Sequence, residues 1–296
     1  MRALKNMPMT GPDDKACRVC GAVTKLSFEH VPPKGVGNSD RVELLGIEDW
    51  LRREERGATV KGAISQKGSG AYSLCRDCNS RAGNLYVPEL QKLHGSGLEA
   101  FRQLDRVALD KAEAAGYMEI KAQGVKPGRL TKQIATMLLA ISPGSFAAAN
   151  PELTEYAREP EKVGLSPRYQ FYLVLYAGPI ARYNGGSIAA HLGEAGAFSA
   201  IPVWELAYPP FAYVMTIDED APPVETGNIT GFVDVGIDQL AEVAMTLKVG
   251  FGHTVFPLDF RTKAVADRER AESEAFSASI KNVESAAPHP SQNRPT

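Results

Sequence analysis

The sequence predicts an α+β protein, with a small cysteine-held module in front of a mixed helical and antiparallel β domain. Three observations carry this. The four cysteines of the chain fall as two C-x-x-C pairs, Cys17 with Cys20 and Cys75 with Cys78. Further on, apolar residues recur at helical steps, first from Leu93 to Leu109 and then from Leu130 to Ile141. From Tyr169 to Val249 the chain breaks into apolar runs of strand length separated by Gly- and Pro-containing turns.

Composition bounds the class. At 44% hydrophobic and 23% charged residues the chain resembles an ordinary globular protein, so neither a disordered chain nor a coiled coil is expected. A net charge of −2 supplies no global basic field toward nucleic acid. No apolar run reaches the length of a membrane span, and the polar N-terminus has no signal-peptide core. Reduced cysteines without an export signal point to the cytoplasm.

Taken in order, residues 1–14 have no apolar period and read as a flexible leader. Val23 to Phe28 reads as a strand ending at Glu29-His30, and Pro32-Pro33 stiffens its exit. An insertion separates the two cysteine pairs; Val42, Leu44, Leu45, Ile47, Trp50 and Leu51 predict a short amphipathic helix in it. Ala71 to Leu74 predicts the second strand. Residues 15–92 are therefore expected to form the cysteine module, 93–265 an α+β domain, and 266–296 a fraying helix and disordered tail. Within the middle block, one helix is expected from Leu93 through Leu109 to a stop at Ala115-Gly116, and a second over 130–141, opened by Pro127-Gly128 and closed by Pro143-Gly144. Strands are expected at 117–122, 169–176, 180–192 (with a bulge or hairpin at Asn184-Gly-Gly186), 198–206, 211–217 and 243–249. Residues 150–160 read as a charged loop.

Two C-x-x-C pairs are the spacing of a four-thiolate zinc site, because each pair can grip one tetrahedral ion from a tight turn. A disulfide framework suits small secreted domains, whereas this chain is long and carries no secretory signal. Such a closed zinc site is structural, with no open position for water. His94, His191 and His253 stand alone in sequence and read as ordinary surface or core residues.

Glu29-His30 between the pairs, and Asn79 directly after Cys78, add a second pattern. Cys17, Cys20, Glu29, His30, Cys75, Cys78 and Asn79 together resemble the His-Me finger (HNH) endonucleases. The resemblance is to their zinc-bearing branch, similar to phage Holliday-junction resolving enzymes and restriction-like nucleases, and it spans Cys17 to Tyr86. It implies a treble-clef ββα-metal finger acting on DNA, in a setting such as phage defence or a mobile element. His30 would be the general base, and Glu29 and Asn79 would be oxygen ligands of Mg²⁺ or Mn²⁺. Lys34, Lys67, Arg76 and Arg81 (and Lys61) lie near these residues in sequence and could meet phosphates. The family's middle Asn, which braces the loop holding the histidine, falls on Gly70 when counted back from the second pair. A non-catalytic zinc module docking nucleic acid or protein is the competing reading, with Asn79 as a helix cap.

Overall fold

A mostly apolar octapeptide, Tyr169 to Tyr176, lies buried as an interior strand of a mixed sheet, which explains its lack of polar alternation. The computed structural model describes residues 2–6, 15–56, 62–114, 116–192, 198–218 and 226–286. In chain order the strands are β1 (Arg2–Asn6), β2 (Leu26–His30), β3 (Val42–Gly46), β4 (Ala63–Ser65), β5 (Gly70–Cys75), β6 (Tyr117–Val125), β7 (Tyr169–Tyr176), β8 (Ile180–Leu192), β9 (Phe198–Tyr208), β10 (Phe211–Ile217), β11 (Gly227–Asn228) and β12 (Ala241–Gly250). The α-helices are α1 (Ile47–Arg56), α2 (Arg76–Leu85), α3 (Val87–Arg102), α4 (Arg106–Lys111), α5 (Pro127–Ile141), α6 (Gly144–Ala149), α7 (Pro151–Arg158) and α8 (Lys263–Ala286).

The large sheet runs β4-β3-β1-β8-β9-β10-β7-β12-β6, with β11 beside β7. Most of its pairs are antiparallel, but β1 runs parallel to β3 and to β8, and β12 parallel to β7. A separate two-stranded sheet pairs β2 with β5. The chain is α+β.

Helix α5 organises the interior. Pro127 opens it, where a missing N–H costs nothing, and from Leu130 to Ile141 every residue is buried. A helix buried all round is a core element. Among its buried polar residues, Lys132 donates from Nζ to the carbonyls of Tyr156, Glu159 and Lys162 at 2.7, 2.9 and 2.8 Å. Strand β8 crosses the end of this helix at Gly185, where a Cβ would lie 2.0 Å from the Ile141 carbonyl oxygen. The Asn184-Gly-Gly186 signal is thus a bulge inside β8, not a hairpin turn. On the sheet, Arg182 and Glu205 form a fully buried pair, with Nε 2.8 Å from Oε1 and Nη2 donating to Oε2 at 3.0 Å.

Several elements differ from the sequence-based expectation. Residues 2–6, read as part of a leader, are an interior strand of the sheet. Val42 to Leu45 is not helical: it is β3, and the helix begins only at Ile47. Residues 151–158 form α7, whose Leu153, Tyr156 and Ala157 face the core, in place of a loop. The helical block over 93–109 is two helices, α3 starting earlier at Val87 and α4 after a break capped by Asp105, whose carboxylate accepts from the Val107 and Ala108 amides. The first finger strand begins at Leu26, not Val23. Helix α8 continues to Ala286; residues 7–14 of the expected leader, Lys61 and residues 287–296 of the expected tail lie outside the described residues. Among the described residues no helix is long and apolar enough to cross a membrane.

One cluster of buried apolar side chains includes Cys17, Val19, Leu74, Cys75 and Cys78 together with Leu130 to Ile141 and the inner faces of β7 and β10. The cysteine module and the sheet therefore share a core.

Candidate functional site

The first cysteine pair sits in a tight loop closed by backbone hydrogen bonds from Cys17 to Ala22 (2.9 Å) and from Gly21 to Cys17 (2.8 Å). The second pair straddles the start of α2: Cys75 occupies the cap position and Cys78 the first turn. Between the loops, the Arg18 amide donates to Ser73 O at 3.0 Å, and its guanidinium reaches the Ala140 carbonyl at 2.7 Å, anchoring the first loop to α5.

All four sulfurs lie within 4.8 Å of one another, and Cys20 and Cys75 are 3.8 Å apart. Zinc–sulfur bonds of about 2.3 Å at tetrahedral angles place sulfurs about 3.8 Å apart. A disulfide would require about 2.05 Å, and the four cysteines are free. The Cys17 thiol is lowered to about 4, chiefly by its hydrogen bond with Cys78, while Cys78 is raised through the same bond and Cys20 by burial. The donor set fits a metal such as zinc.

Strands β2 and β5 carry the rest, with Glu29 opposite Ala71 and His30 opposite Gly70. Consecutive residues of an extended strand point to opposite faces, so the two side chains separate. Glu29 turns inward: it is 6% exposed, meets no hydrogen-bond donor among the described residues, and burial pushes its carboxyl up to about 8. His30 is half-buried, its Nε2 lies 2.9 Å from the Lys67 carbonyl oxygen, and its ring meets Phe28 edge-on at 5.0 Å. A carbonyl can only accept, so Nε2 is the donor, and in the neutral ring the lone pair is on Nδ1.

Asn79, at the front of α2, faces the same hairpin. Its Nδ2 donates to Ser27 Oγ at 3.1 Å and to the Phe28 carbonyl at 3.2 Å. That uses the amide nitrogen as a staple between α2 and β2 and leaves Oδ1 as the atom able to take a cation. Lys34, Lys67 and Arg76 are exposed. Arg81 differs: its Nη1 donates to the Arg158 carbonyl at the end of α7, at 2.9 Å.

The residue that sequence reasoning missed is Asn38. It is fully buried; Nδ2 donates to Pro32 O (2.6 Å) and Ser69 O (2.7 Å), and Oδ1 accepts the Ser69 amide (2.7 Å). These bonds tie the turn leaving His30 to the residue preceding β5, beside the Val31-to-Ser69 backbone bond of 3.0 Å. Gly70, where an Asn was expected, has no room for one: a Cβ there would lie 2.1 Å from the Glu29 carbonyl oxygen and 2.7 Å from the Phe28 ring. Asn38 braces the loop instead. The available signal was position after His30, since the insertion makes counting back from Cys75 misleading. Of the isolated histidines, His94 is partly buried and its pKa is lowered by that burial, His253 stacks near Phe251, and the His191 side chain lies outside the description.

No family model, curated protein or solved structure matches the chain.

Proposed function

We propose that this chain is a metal-dependent endonuclease of the HNH kind, hydrolysing phosphodiester bonds in DNA from a treble-clef ββα-metal finger held by a structural zinc. The observation that carries the reading is the contact of His30 Nε2 with the Lys67 carbonyl. Its Nε2–H is taken up by the Lys67 carbonyl, which leaves Nδ1 basic at the end of a strand braced on one side by Asn38 and on the other by Asn79.

The residues then divide the work. Nδ1 of His30 removes a proton from water, the water oxygen bonds to phosphorus, and the bond to the 3′-oxygen breaks with its electron pair leaving on that oxygen. The carboxylate of Glu29 and Oδ1 of Asn79 are hard oxygen donors suited to Mg²⁺ or Mn²⁺, which when bound supplies charge stabilisation for the phosphate and the leaving oxygen. Lys34, Lys67 and Arg76 position the backbone phosphates, while Arg81 is engaged with α7 and contributes less. The four-thiolate site holds the hairpin against α2 and takes no part in the chemistry.

Incubation of the purified protein with plasmid and junction DNA, with and without Mg²⁺ or Mn²⁺, tests the reading. Cleavage should require the divalent ion. His30→Ala should lower it by at least about 100-fold, a general base being worth that much, with zinc content unchanged. Glu29→Ala and Asn79→Ala should recover part of their lost activity as the metal concentration is raised. A parent protein that cuts nothing under any divalent ion, or a His30→Ala variant as fast as the parent, would leave a zinc module used for docking.

A further inference from the structure

The finger hairpin presents an aromatic face that the cleavage chemistry does not use. Phe28 and Tyr72 are cross-strand partners in register, with ring centroids 5.5 Å apart and planes at 71°. Phe28 also meets the His30 ring, two residues along the same strand, at 5.0 Å and 87°. The three rings are thus linked by contacts, His30 with Phe28 and Phe28 with Tyr72, across both strands. Phe28 is fixed in place because its ring covers Gly70, where a Cβ would come within 2.7 Å of it. The outermost ring is different: Tyr72 remains 60% exposed.

Burial explains Phe28 but not Tyr72. A tyrosine that keeps most of its surface in water contributes little to the hairpin's apolar burial, and it stands two ring contacts from the histidine. An exposed ring on a rigid strand pair is what a nucleobase needs for stacking, and every base offers a π-face. Bases inside a duplex are already stacked on each other and present only their edges to the grooves. A base that stacks on Tyr72 must therefore be unpaired. Charge agrees with such an occupant: exposed Lys67 stands beside His30, joined to it through its own carbonyl.

We infer that Tyr72 is a stacking platform for the base of an unpaired DNA nucleotide next to the scissile phosphate, so that the substrate is single-stranded or branched DNA. The location of that phosphate rests on the endonuclease reading; the stacking itself does not. The preference belongs to the protein surface, and Phe28 acts as its rigid support.

Binding and cleavage separate the two ideas. Fluorescence anisotropy of the full-length protein, in buffer without added divalent ion, would compare a labelled single strand with the matched blunt duplex. The parent should prefer the single strand, and Tyr72→Ala should lose roughly 5- to 100-fold of single-strand affinity, so that the preference collapses. Tyr72→Phe should restore it and Tyr72→Leu should not, whereas a merely structural ring would show as a loss of melting temperature shared by Ala and Leu with the preference intact. Equal affinity of the parent for both DNAs, no binding to either, or an unchanged preference in Tyr72→Ala would overturn the platform. If the parent binds single strands through Tyr72 but cleaves no DNA with Mg²⁺ or Mn²⁺, the platform stands and the endonuclease reading falls. Cleavage of plain duplex that ignores Tyr72→Ala on every substrate gives the reverse.

Discussion

A carboxyl group buried as deeply as Glu29 can lower its energy in two ways: it can keep its proton or meet a cation. With burial alone acting, it keeps the proton, and its pKa moves up to about 8. The sign matters for stability. A folded-state value above the unfolded one gives a contribution that is complete below the ordinary carboxylate range and is lost as pH rises through about 8. A divalent ion reverses this by displacing the proton, so binding and proton release are coupled. Apparent Mn²⁺ affinity should therefore rise about tenfold per pH unit from pH 6 toward pH 8. Calorimetric titration at several pH values would show the slope, and Glu29→Gln should abolish it together with most of the binding. A flat affinity across that range would mean that Glu29 is not a ligand.

At the scale of the element, the β2–β5 hairpin shows why position 70 cannot take a side chain. Gly70 pairs with His30, and the Glu29 carbonyl and the Phe28 ring fill the space a side chain would need. Gly70→Asn should therefore destabilise the protein, by about 1–3 kcal/mol as for other overpacked sites. Urea unfolding against the parent would measure this; a gain in stability would show that the brace had been misassigned to Asn38. The same hairpin marks what the sequence could reveal. The cysteine cluster was legible because two residues between thiols already encode a shared ion, and Tyr169 to Tyr176 because a buried strand has few other readings. Val42 to Leu45 was not, since a short apolar run fits helix or strand, and its parallel neighbour β1 lies far away in sequence. Asn38 was hidden for a similar reason: its partners Pro32 and Ser69 stand on either side of an insertion that forms β3, α1 and β4. Helix α7 follows from Pro151 at its first position, a start signal masked by the charged residues around it.

Across the whole molecule, the cysteine module has no core of its own. Its buried residues Cys17, Val19 and Leu74 belong to the cluster that contains α5 and the inner face of the sheet. Arg18 spends its guanidinium on the Ala140 carbonyl, and the Tyr208 hydroxyl at the end of β9 donates to Gly37 O at 3.1 Å, beneath the turn that Asn38 braces. The insertion adds to the coupling, because β3 and β4 extend the large sheet from within the finger. A cluster of this kind transmits loss of one side to the other, since thiols freed of a cation can no longer hold the first loop against α5. Removing zinc with a chelator should therefore lower the melting temperature of the entire chain, by about 5 °C for a loss of about 3 kcal/mol. Two reporters distinguish this from local melting. Cysteine reactivity reads the finger, while Trp50 and Trp204, which pack on β3 and lie within β9, read the sheet. Thiol exposure and tryptophan emission should change at one midpoint, before and after chelation. Tryptophan emission that keeps its original midpoint while the thiols become reactive would show instead that the finger melts alone, despite the shared cluster.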